Sequence, residues 1–455
     1  KMLPFYHNPF TLCRHYLILS VIICLFPAAP AFAEPAAPPE PTGQAQTALP
    51  EISAEAAILM DAATGDILYE KNSRQKEFPA SITKLMTVLL TLEKGSLTDS
   101  VTVSHEAVTN VEPGSASVAL QEGETLSLEQ ILQAILLRSA NEAANAAAEF
   151  TDGTLQAFAA HMNSRAAELG CENTHFVNPS GLHDETHATT AYDMALIARA
   201  LLQNETFRSI MGSTYYEIPP TNKQPETRYL HGQHQMLNSN STYYYEYATG
   251  GKTGFTEEAR NTLVTYAKKD GRELIAVVLK CEGAEHYTDS KALFEYGFEN
   301  FEIRKLLSAS EYVQTVSVTE IYNDKPVVLG TVSAAASDIE KTVQKSTDFS
   351  ALKVTVECPE TIEGPVTHGQ VLGSLTVSLD KEVLATTELL AQADVPLLTE
   401  EQKAELDKSS RMGILKKILK VIGCIVLAFC ALLCITRTIG YYRWKKRRAR
   451  RRRRR

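Results

Sequence analysis

One stretch of the chain combines a strongly apolar pattern with a charged side chain. Residues 79–90 begin with Pro79, which suits the first turn of a helix because its missing N–H would have no partner there. The apolar residues that follow recur at helical spacing and are Leu85, Met86, Val88, Leu89 and Leu90. The pattern predicts a buried helix, and Lys84 lies within it.

Ser81 lies three residues before Lys84, so the two side chains share one face of the predicted helix. A serine hydroxyl is a weak nucleophile until a base takes its proton. A lysine in apolar surroundings binds its proton less tightly, because desolvation disfavours the charged form. Ser81 and Lys84 are therefore a candidate nucleophile and its base. The same Ser-x-x-Lys spacing also occurs at Ser73, Ser350 and Ser378, so the spacing alone decides nothing.

The patterns around this stretch predict helices and antiparallel strands. Residues 56–61 and 66–70 read as two strands joined by a turn at Thr64-Gly65, which makes a hairpin. Residues 117–120 read as a short extended piece. A helix is predicted to begin near Ser127, where Glu129 and Gln130 follow as cap-like residues.

This second helix is predicted to stop at residues 138–142, before an alanine-rich helix over 143–150. Ser139 and Asn141 lie in the break, and they form the one Ser-x-Asn of the chain. A polar pair at a break between helices is a usual place for function, although helix capping would also explain it.

A third polar motif lies beside a predicted sheet. Residues 262–267 and 274–279 read as strands joined by Asp270-Gly271. Lys252 and Thr253 precede them, so both lie on or just before a neighbouring strand. A cation and a hydroxyl at that place would hold an anionic end of a substrate, whereas an exposed turn lysine is the simpler interpretation. The glycines around Lys252 would let a ligand lie close to the backbone.

The two ends of the chain carry membrane signals. Residues 1–33 resemble a secretory signal peptide, with an apolar run and a small-x-small site at 31–33, although an N-terminal membrane anchor is the alternative. A Pro- and Ala-rich spacer follows over 34–50. Residues 421–436 are uncharged and apolar, which predicts a membrane-spanning helix over 413–442 rather than a helix lying on the surface.

Charge is distributed unevenly. The net charge of the chain is −9, yet the 19 residues 437–455 hold 12 Lys or Arg and no acid. The remainder is strongly acidic, which argues against nucleic-acid binding by the main body. The basic tail is expected to stay in the cytoplasm and to contact anionic lipid headgroups, with the body outside. Three cysteines lie in the body, at 171, 281 and 358, and their spacing predicts neither a disulfide framework nor a metal site.

Ser-x-x-Lys, Ser-x-Asn and Lys-Thr-Gly, in this order, form a motif set of penicillin-binding proteins and class A β-lactamases. The chain resembles the low-molecular-mass penicillin-binding proteins, which are serine-type D-Ala-D-Ala carboxypeptidases. The resemblance also rests on residues 176–182, 189–194 and 251–256.

This resemblance implies an α/β (α+β) penicillin-binding and β-lactamase-like transpeptidase fold, in which helices flank an antiparallel sheet. A small all-β domain and a single C-terminal transmembrane helix would follow. The domains expected are a signal peptide 1–33, a linker 34–50, a catalytic domain 51–306, a β-rich domain 307–392, a linker 393–412, an anchor 413–442 and a tail 443–455.

The resemblance also implies roles for individual residues. Ser81 would attack the carbonyl between two terminal D-alanines of a peptidoglycan stem peptide, Lys84 would take its proton, and Ser139 would pass that proton to the leaving amine. The residues implied to bind the substrate are Asn141, Lys252, Thr253, Gly254 and Phe255. The backbone N–H groups of Ser81 and Phe255 would form the oxyanion hole. No metal or organic cofactor is implied, and β-lactams would acylate Ser81.

Three alternatives remain open at the level of sequence. A DD-endopeptidase would differ only in the bond that is cleaved. A β-lactamase would usually carry a Glu in a Glu-x-x-Leu-Asn setting after Ser-x-Asn, and the chain has no such stretch. A catalytically silent wall-binding protein would not need the nucleophile and its base. Glu142 follows the Ser-x-Asn motif where the family often has Asp, and little effect is expected from it.

Overall fold

The structure is a computed structural model that describes residues 48–452. The predicted signal peptide and most of the spacer over 34–50 lie outside the described residues, as does the end of the basic tail.

A five-stranded antiparallel sheet forms the centre of the N-terminal part, with strand order β2-β1-β9-β8-β7. The strands of this part are β1 (Ala56–Asp61), β2 (Ile67–Lys71), β3 (Ser100–Thr102), β4 (Thr125–Ser127), β5 (Tyr215–Ile218), β6 (Arg228–His231), β7 (Ala248–Thr256), β8 (Arg260–Lys269) and β9 (Arg272–Cys281). The two predicted hairpins are confirmed, because β1 pairs with β2 and β8 pairs with β9. Strand β7, which carries Lys252, lies at the edge of the sheet.

Helices cover both faces of this sheet. They are α1 (Lys84–Lys94), α2 (His105–Thr109), α3 (Leu128–Arg138), α4 (Asn141–Asp152), α5 (Leu155–Glu168), α6 (Ala191–Leu201), α7 (Glu205–Ile210) and α8 (Glu285–Asn300). Helix α1 packs in the larger hydrophobic core on one face, and α8 packs in a second core on the other. Helix α8 was not predicted, because buried polar residues such as Asp289 interrupt its apolar pattern. The Asp289 carboxylate accepts hydrogen bonds from the N–H groups of Ser53 and Ala54.

The predicted helix over 79–90 needs a correction. Ala80–Thr83 form a 3₁₀ turn, and the α-helix begins only at Lys84. The tighter turn follows Pro79, whose carbonyl accepts a hydrogen bond of 2.8 Å from the Thr262 hydroxyl of β8. In a 3₁₀ turn, side chains three residues apart eclipse one another, so Ser81 still faces Lys84.

The predicted start of α3 is confirmed in detail. The Ser127 hydroxyl accepts from the Gln130 N–H, and the Gln130 side chain accepts from the Ser127 N–H, which is a capping box. Such a box satisfies two backbone donors that a helix start would leave unpaired. Residues 117–120, which were predicted to be extended, form no strand.

The C-terminal part is a β-rich domain. Its strands are β10 (Phe301–Leu307), β11 (Val313–Tyr322), β12 (Lys325–Ala335), β13 (Ile339–Gln344), β14 (Leu352–Glu357), β15 (Thr361–Glu363), β16 (Val371–Leu379) and β17 (Glu382–Ala391). The first strand begins at Phe301, ahead of the boundary expected at 307. Six of the strands form one sheet around a separate apolar core. Lys341 and Asp66 join this domain to the β1–β2 hairpin through a 2.6 Å ion pair.

One long helix, α9 (Glu400–Arg452), closes the described chain. The segment predicted as a linker over 393–412 is thus helical from residue 400 onward. The helix starts with a capping box, because Thr399 and Gln402 exchange side-chain and backbone hydrogen bonds of 2.8 and 3.3 Å. In the part of the chain that the structure describes, α9 is the one helix long and apolar enough to cross a membrane.

Candidate active site

The site is built around the amine of Lys84, which is fully buried. Its Nζ lies 3.0 Å from Ser81 Oγ and 2.7 Å from Asn141 Oδ1, and it also contacts the carbonyl oxygen of Ser180. Three separate chain segments therefore surround one nitrogen atom. The predicted pairing of Ser81 with Lys84 is present in the structure.

Burial determines the charge of this amine. Desolvation lowers the pKa of Lys84 well below its usual value, and the charge of Lys252 lowers it further, while Glu142 acts in the opposite direction. A neutral amine has two N–H donors and one lone pair. The amide oxygen of Asn141 and the carbonyl of Ser180 can only accept hydrogen bonds, so they take the two donors. The lone pair is then left for the proton of Ser81.

The loop over 174–182 contacts Lys84 through the carbonyl oxygen of Ser180. Asn178 Oδ1 accepts hydrogen bonds from the N–H groups of Ser180 and Gly181, at 3.2 and 2.7 Å, and so fixes the Ser180 carbonyl. Gly181 has φ +79°, and a Cβ there would lie 1.9 Å from the carbonyl oxygen of Ala80. Only glycine permits this approach, so the loop and the 3₁₀ turn Ala80–Thr83 determine each other's positions. Because this turn carries Ser81, we call it the nucleophile turn.

Ser139 and Asn141 lie at the predicted break between helices. Ser139 ends α3 in the left-handed conformation, with φ +58°, and Asn141 is the first residue of α4. A non-glycine residue in this conformation costs about 1–3 kcal/mol, and such strain concentrates at functional sites. The Ser139 hydroxyl is buried and has no hydrogen-bond partner within residues 48–452. It is therefore free to bond a substrate.

Lys252, Thr253, Gly254 and Phe255 follow one another along edge strand β7. Lys252 is buried, and desolvation lowers its pKa to about 7. A Cβ on Gly254 would lie 2.9 Å from the Ser81 N–H nitrogen, so this strand passes directly against the nucleophile turn. Phe255 is half exposed, at 56%, beside this contact.

One cleft of about 350 Å³ unites most of these residues. Its lining residues are Ser81, Ala116, Ser139, Gln233, Thr253, Gly254, Phe255, Asn261, His286 and Tyr287. Asn141 is connected to the site by its hydrogen bond to Lys84, and the charge of Lys252 lowers the pKa of Lys84. All eight residues predicted for the site thus belong to one region.

Sequence reasoning missed two contributors to this region. The carbonyl of Ser180 gives no sequence signal of its own, because it is a backbone group. Glu142 was considered only as a replacement for the Asp that the family often has, and its buried carboxylate accepts hydrogen bonds from Ser117 Oγ at 2.7 Å and from the Val118 N–H at 2.8 Å. It holds the loop that includes Ala116, and Ala116 lines the cleft.

Comparison of the chain with known proteins identifies the family to which it belongs. Residues 43–283 match the model of D-alanyl-D-alanine carboxypeptidases, and residues 301–397 match that of the C-terminal domain of penicillin-binding protein 5. The chain belongs to the D-alanyl-D-alanine carboxypeptidase family. The resemblance predicted from the three motifs is therefore confirmed, and so is the predicted fold class.

Relatives of this family cover most of the chain. It is 33% identical over 349 residues to the D-alanyl-D-alanine carboxypeptidase DacF of Bacillus subtilis, which spans 75% of this chain and 86% of the relative. It is 29% identical to DacA of Escherichia coli, over 76% of this chain and 85% of the relative. Penicillin-binding protein 5 of Haemophilus influenzae superposes with a TM-score of 0.65 at 29% identity, covering 77% of this chain and 99% of that one.

The role of the Gly181 contact can be tested by replacing Gly181 with alanine. We expect acylation by a fluorescent penicillin to slow by about 100-fold or more, because a misplacement on the order of 1 Å at a reacting centre costs that much. The control is Gly153→Ala, which has the same φ of +79° but no atom within 4 Å of the added Cβ. It should lose stability through backbone strain yet label at the wild-type rate.

Thermal unfolding followed by circular dichroism would separate stability from reactivity in both variants. If Gly181→Ala fails to fold, Asn178→Ala, which removes the acceptor that fixes Ser180, serves as the second variant. Equal labelling rates in the wild type, Gly181→Ala and Asn178→Ala would contradict a positioning role for this loop.

Proposed function

We propose that Ser81 carries out the carboxypeptidase reaction of this family and releases the terminal D-alanine of peptidoglycan stem peptides ending in D-Ala-D-Ala. The observation that carries the proposal is the fully buried amine of Lys84, which lies 3.0 Å from Ser81 Oγ and whose pKa desolvation lowers well below its usual value. Acyl transfer at neutral pH requires a base that lies within hydrogen-bond distance of the nucleophile and whose pKa is low enough for it to accept the hydroxyl proton.

The chemistry divides into two steps. Ser81 Oγ attacks the carbonyl carbon of the penultimate D-alanine while Lys84 takes the hydroxyl proton. The C–N bond then breaks, and the leaving amine receives the proton through Ser139, whose unpartnered hydroxyl is available for this transfer. Water next attacks the acyl-enzyme, and Ser81 recovers its proton as the shortened peptide leaves.

Strand β7 would hold the substrate during these steps. The terminal carboxylate would bind the Lys252 ammonium and the Thr253 hydroxyl, since charge-assisted hydrogen bonds are the strongest available to it. Asn141 would position the peptide backbone. The N–H groups of Ser81 and Phe255 would stabilise the oxyanion, which is worth about 3–4 kcal/mol per donor in comparable enzymes. β-Lactams offer the same carbonyl and carboxylate, so they should acylate Ser81 covalently.

We also propose an orientation in the membrane. Helix α9 would anchor the chain, with the body on the outer side and the basic tail in the cytoplasm. The distribution of charge supports this arrangement, because Lys and Arg residues are retained on the cytoplasmic side of spanning helices. The body, whose remaining charge is acidic, would then contact neither nucleic acid nor the cell interior.

Replacing Ser81 with alanine tests the nucleophile. The variant should release D-alanine from a D-Ala-D-Ala pentapeptide at least about 1,000-fold more slowly, because the covalent route is lost, and it should not be labelled by fluorescent penicillin. Ser350→Ala is the matched control, since Ser350 and Lys353 share the Ser-x-x-Lys spacing on an exposed surface. Covalent labelling that persisted in Ser81→Ala would refute the assignment.

The two lysines predict a pH profile. The free enzyme needs Lys84 neutral and Lys252 protonated, so kcat/KM should fall as pH rises above about 7, by about tenfold per pH unit. A bound carboxylate stabilises the Lys252 ammonium, so the corresponding fall in kcat should come at higher pH. Lys252→Arg keeps its charge throughout and should lose this alkaline fall. A wild-type profile that stays flat from pH 6 to 9 would be inconsistent with the role given to Lys252.

Thiol labelling can test the orientation. In a background where the eight cysteines are replaced by serine, we expect Ser409→Cys to react with a membrane-impermeant maleimide in cells whose inner membrane is intact. Ala449→Cys should react only after that membrane is permeabilised. Labelling of both positions before permeabilisation would argue for a helix that lies on the outer surface.

A further inference from the structure

Residues 116–120, which we call the wall segment, contribute to the lining of the Ser81 cleft through Ala116. The wall segment belongs to no helix or strand, so regular secondary structure does not fix its conformation. Side chains from other elements must therefore bond its backbone if it is to give the cleft a defined shape.

Glu142, the second residue of α4, supplies most of these bonds. Its Oε1 accepts hydrogen bonds from Ser117 Oγ at 2.7 Å, from the Val118 N–H at 2.8 Å and from the Leu120 N–H at 3.4 Å. The Ser117 hydroxyl itself accepts from the Ala119 N–H at 2.9 Å, so its own hydrogen points to the carboxylate. Three donors that converge on one oxygen atom are typical of an ionised carboxylate.

Two further contacts and a strained residue show that the wall segment depends on its neighbours. The Asn141 N–H donates to the Ala116 carbonyl at 2.9 Å, and Arg228 Nη2 donates to the Ala119 carbonyl at 3.0 Å. Ala119 lies in the left-handed region, with φ +56°. A non-glycine residue stays in this region only where its surroundings fix it. Loss of the Glu142 bonds would therefore let the wall segment relax.

The second carboxylate oxygen of Glu142 is not explained by this anchoring. The residue is 2% exposed, and its Oε2 is buried without a hydrogen-bond partner among the described residues. A buried charge is costly where its oxygen atoms are not all bonded. Anchoring of the wall segment alone would not require an acid at this position.

The charge of Glu142 acts on the base of the site. Glu142 directly follows Asn141, whose Oδ1 lies 2.7 Å from Lys84 Nζ. Burial and then the charge of Lys252 lower the pKa of Lys84, whereas the charge of Glu142 raises it. His187, which bonds the nucleophile turn at 2.9 Å, adds no charge at neutral pH, because burial lowers its pKa to about 4. Of these groups, Glu142 is the one that strengthens Lys84 as a base.

We propose that Glu142 is a positioning residue that holds the wall segment in place and keeps a negative charge near the amine that takes the Ser81 proton. The inference rests on the carboxypeptidase function proposed above. When Ser81 attacks, Lys84 becomes an ammonium, and a fixed negative charge stabilises this cation without any rearrangement. Glu142 is not among the residues that line the described cleft. It would act through Lys84 and through the wall segment.

Three variants separate the charge from the anchor. Glu142→Gln removes the charge, while its amide oxygen can accept the same hydrogen bonds. Ser117→Ala removes the shortest of these bonds and leaves the charge in place. Glu142→Ala removes both. The rate of acylation by a fluorescent penicillin and kcat/KM for D-alanine release from a D-Ala-D-Ala pentapeptide are measured from pH 4 to 9, with the full chain in detergent.

For Glu142→Gln, we expect the fall of both rates on the acid side to move to lower pH by about half a pH unit or more, because Lys84 loses a group that raises its pKa. The maximal rates should also fall about three- to tenfold, since a weaker base takes the Ser81 proton less readily. The fall on the alkaline side, which the proposed function assigns to Lys252, should stay where it is in the wild type.

For Ser117→Ala, we expect the acid-side fall to stay at the wild-type pH. Its kcat/KM should decrease about three- to tenfold, which corresponds to the loss of one hydrogen bond from the anchor. Glu142→Ala should show both changes. Thermal unfolding followed by circular dichroism checks that each variant is folded, and if Glu142→Ala is not, the comparison of Glu142→Gln with Ser117→Ala still decides.

Three results would overturn the inference while the wild type still releases D-alanine, so that the proposed function would stand. In the first, Glu142→Gln reproduces the wild-type rates and pH profile. In the second, Glu142→Gln and Ser117→Ala slow the enzyme equally and neither displaces the acid-side fall, as expected of a residue with a purely structural role. In the third, Ser117→Ala keeps the wild-type rates, which would remove the anchoring role. A wild type that neither released D-alanine nor bound penicillin would refute the proposed function itself.

Discussion

The burial of one amine without a carboxylate partner is the constraint on which the site depends. A buried lysine usually remains charged through an ion pair, and breaking such a pair is costly. Here the carboxylate of Glu142, which acts on Lys84 through its charge, is bonded to Ser117 and to the Val118 N–H instead. Lys84 meets only neutral oxygen atoms. Desolvation thus shifts this amine towards its neutral form, which is the form that can accept a proton.

This arrangement demands long-range order. The three oxygen atoms around Lys84 come from the nucleophile turn, the start of α4 and the loop over 178–182, which lie far apart in the chain. The first and the third of these segments are held by a mutual contact that tolerates little change. Ala80 lies in the left-handed region at φ +49°, directly before Ser81, and Gly181 packs against its carbonyl. The strained backbone conformation of Ala80 persists because the packing around the turn excludes other conformations.

The sequence predicted the local features of the fold and the site, and it missed features that arise from packing between distant segments. The capping box at Ser127 and the hairpin at Asp270 follow from side chains that act on their own neighbours. The three motifs contain seven of the eight residues predicted for the site, and the eighth, Phe255, directly follows the third motif. The Ser180 carbonyl is a backbone atom and has no side-chain signature. Helix α8 was not predicted from the sequence because the buried Asp289 interrupts its apolar pattern. The partner of this carboxylate, the Ala54 N–H, lies more than two hundred positions away in the chain.

The two lysines also explain, on the proposed function, why the enzyme would act on peptides with a free carboxylate. Lys252 has a pKa of about 7, so part of the free enzyme carries no charge there. A substrate carboxylate restores that charge, because it stabilises the ammonium form. The charge of Lys252 in turn lowers the pKa of Lys84. Binding the correct terminus would therefore help to keep the base neutral, whereas a peptide without a carboxylate would gain neither the ion pair nor this effect on the base.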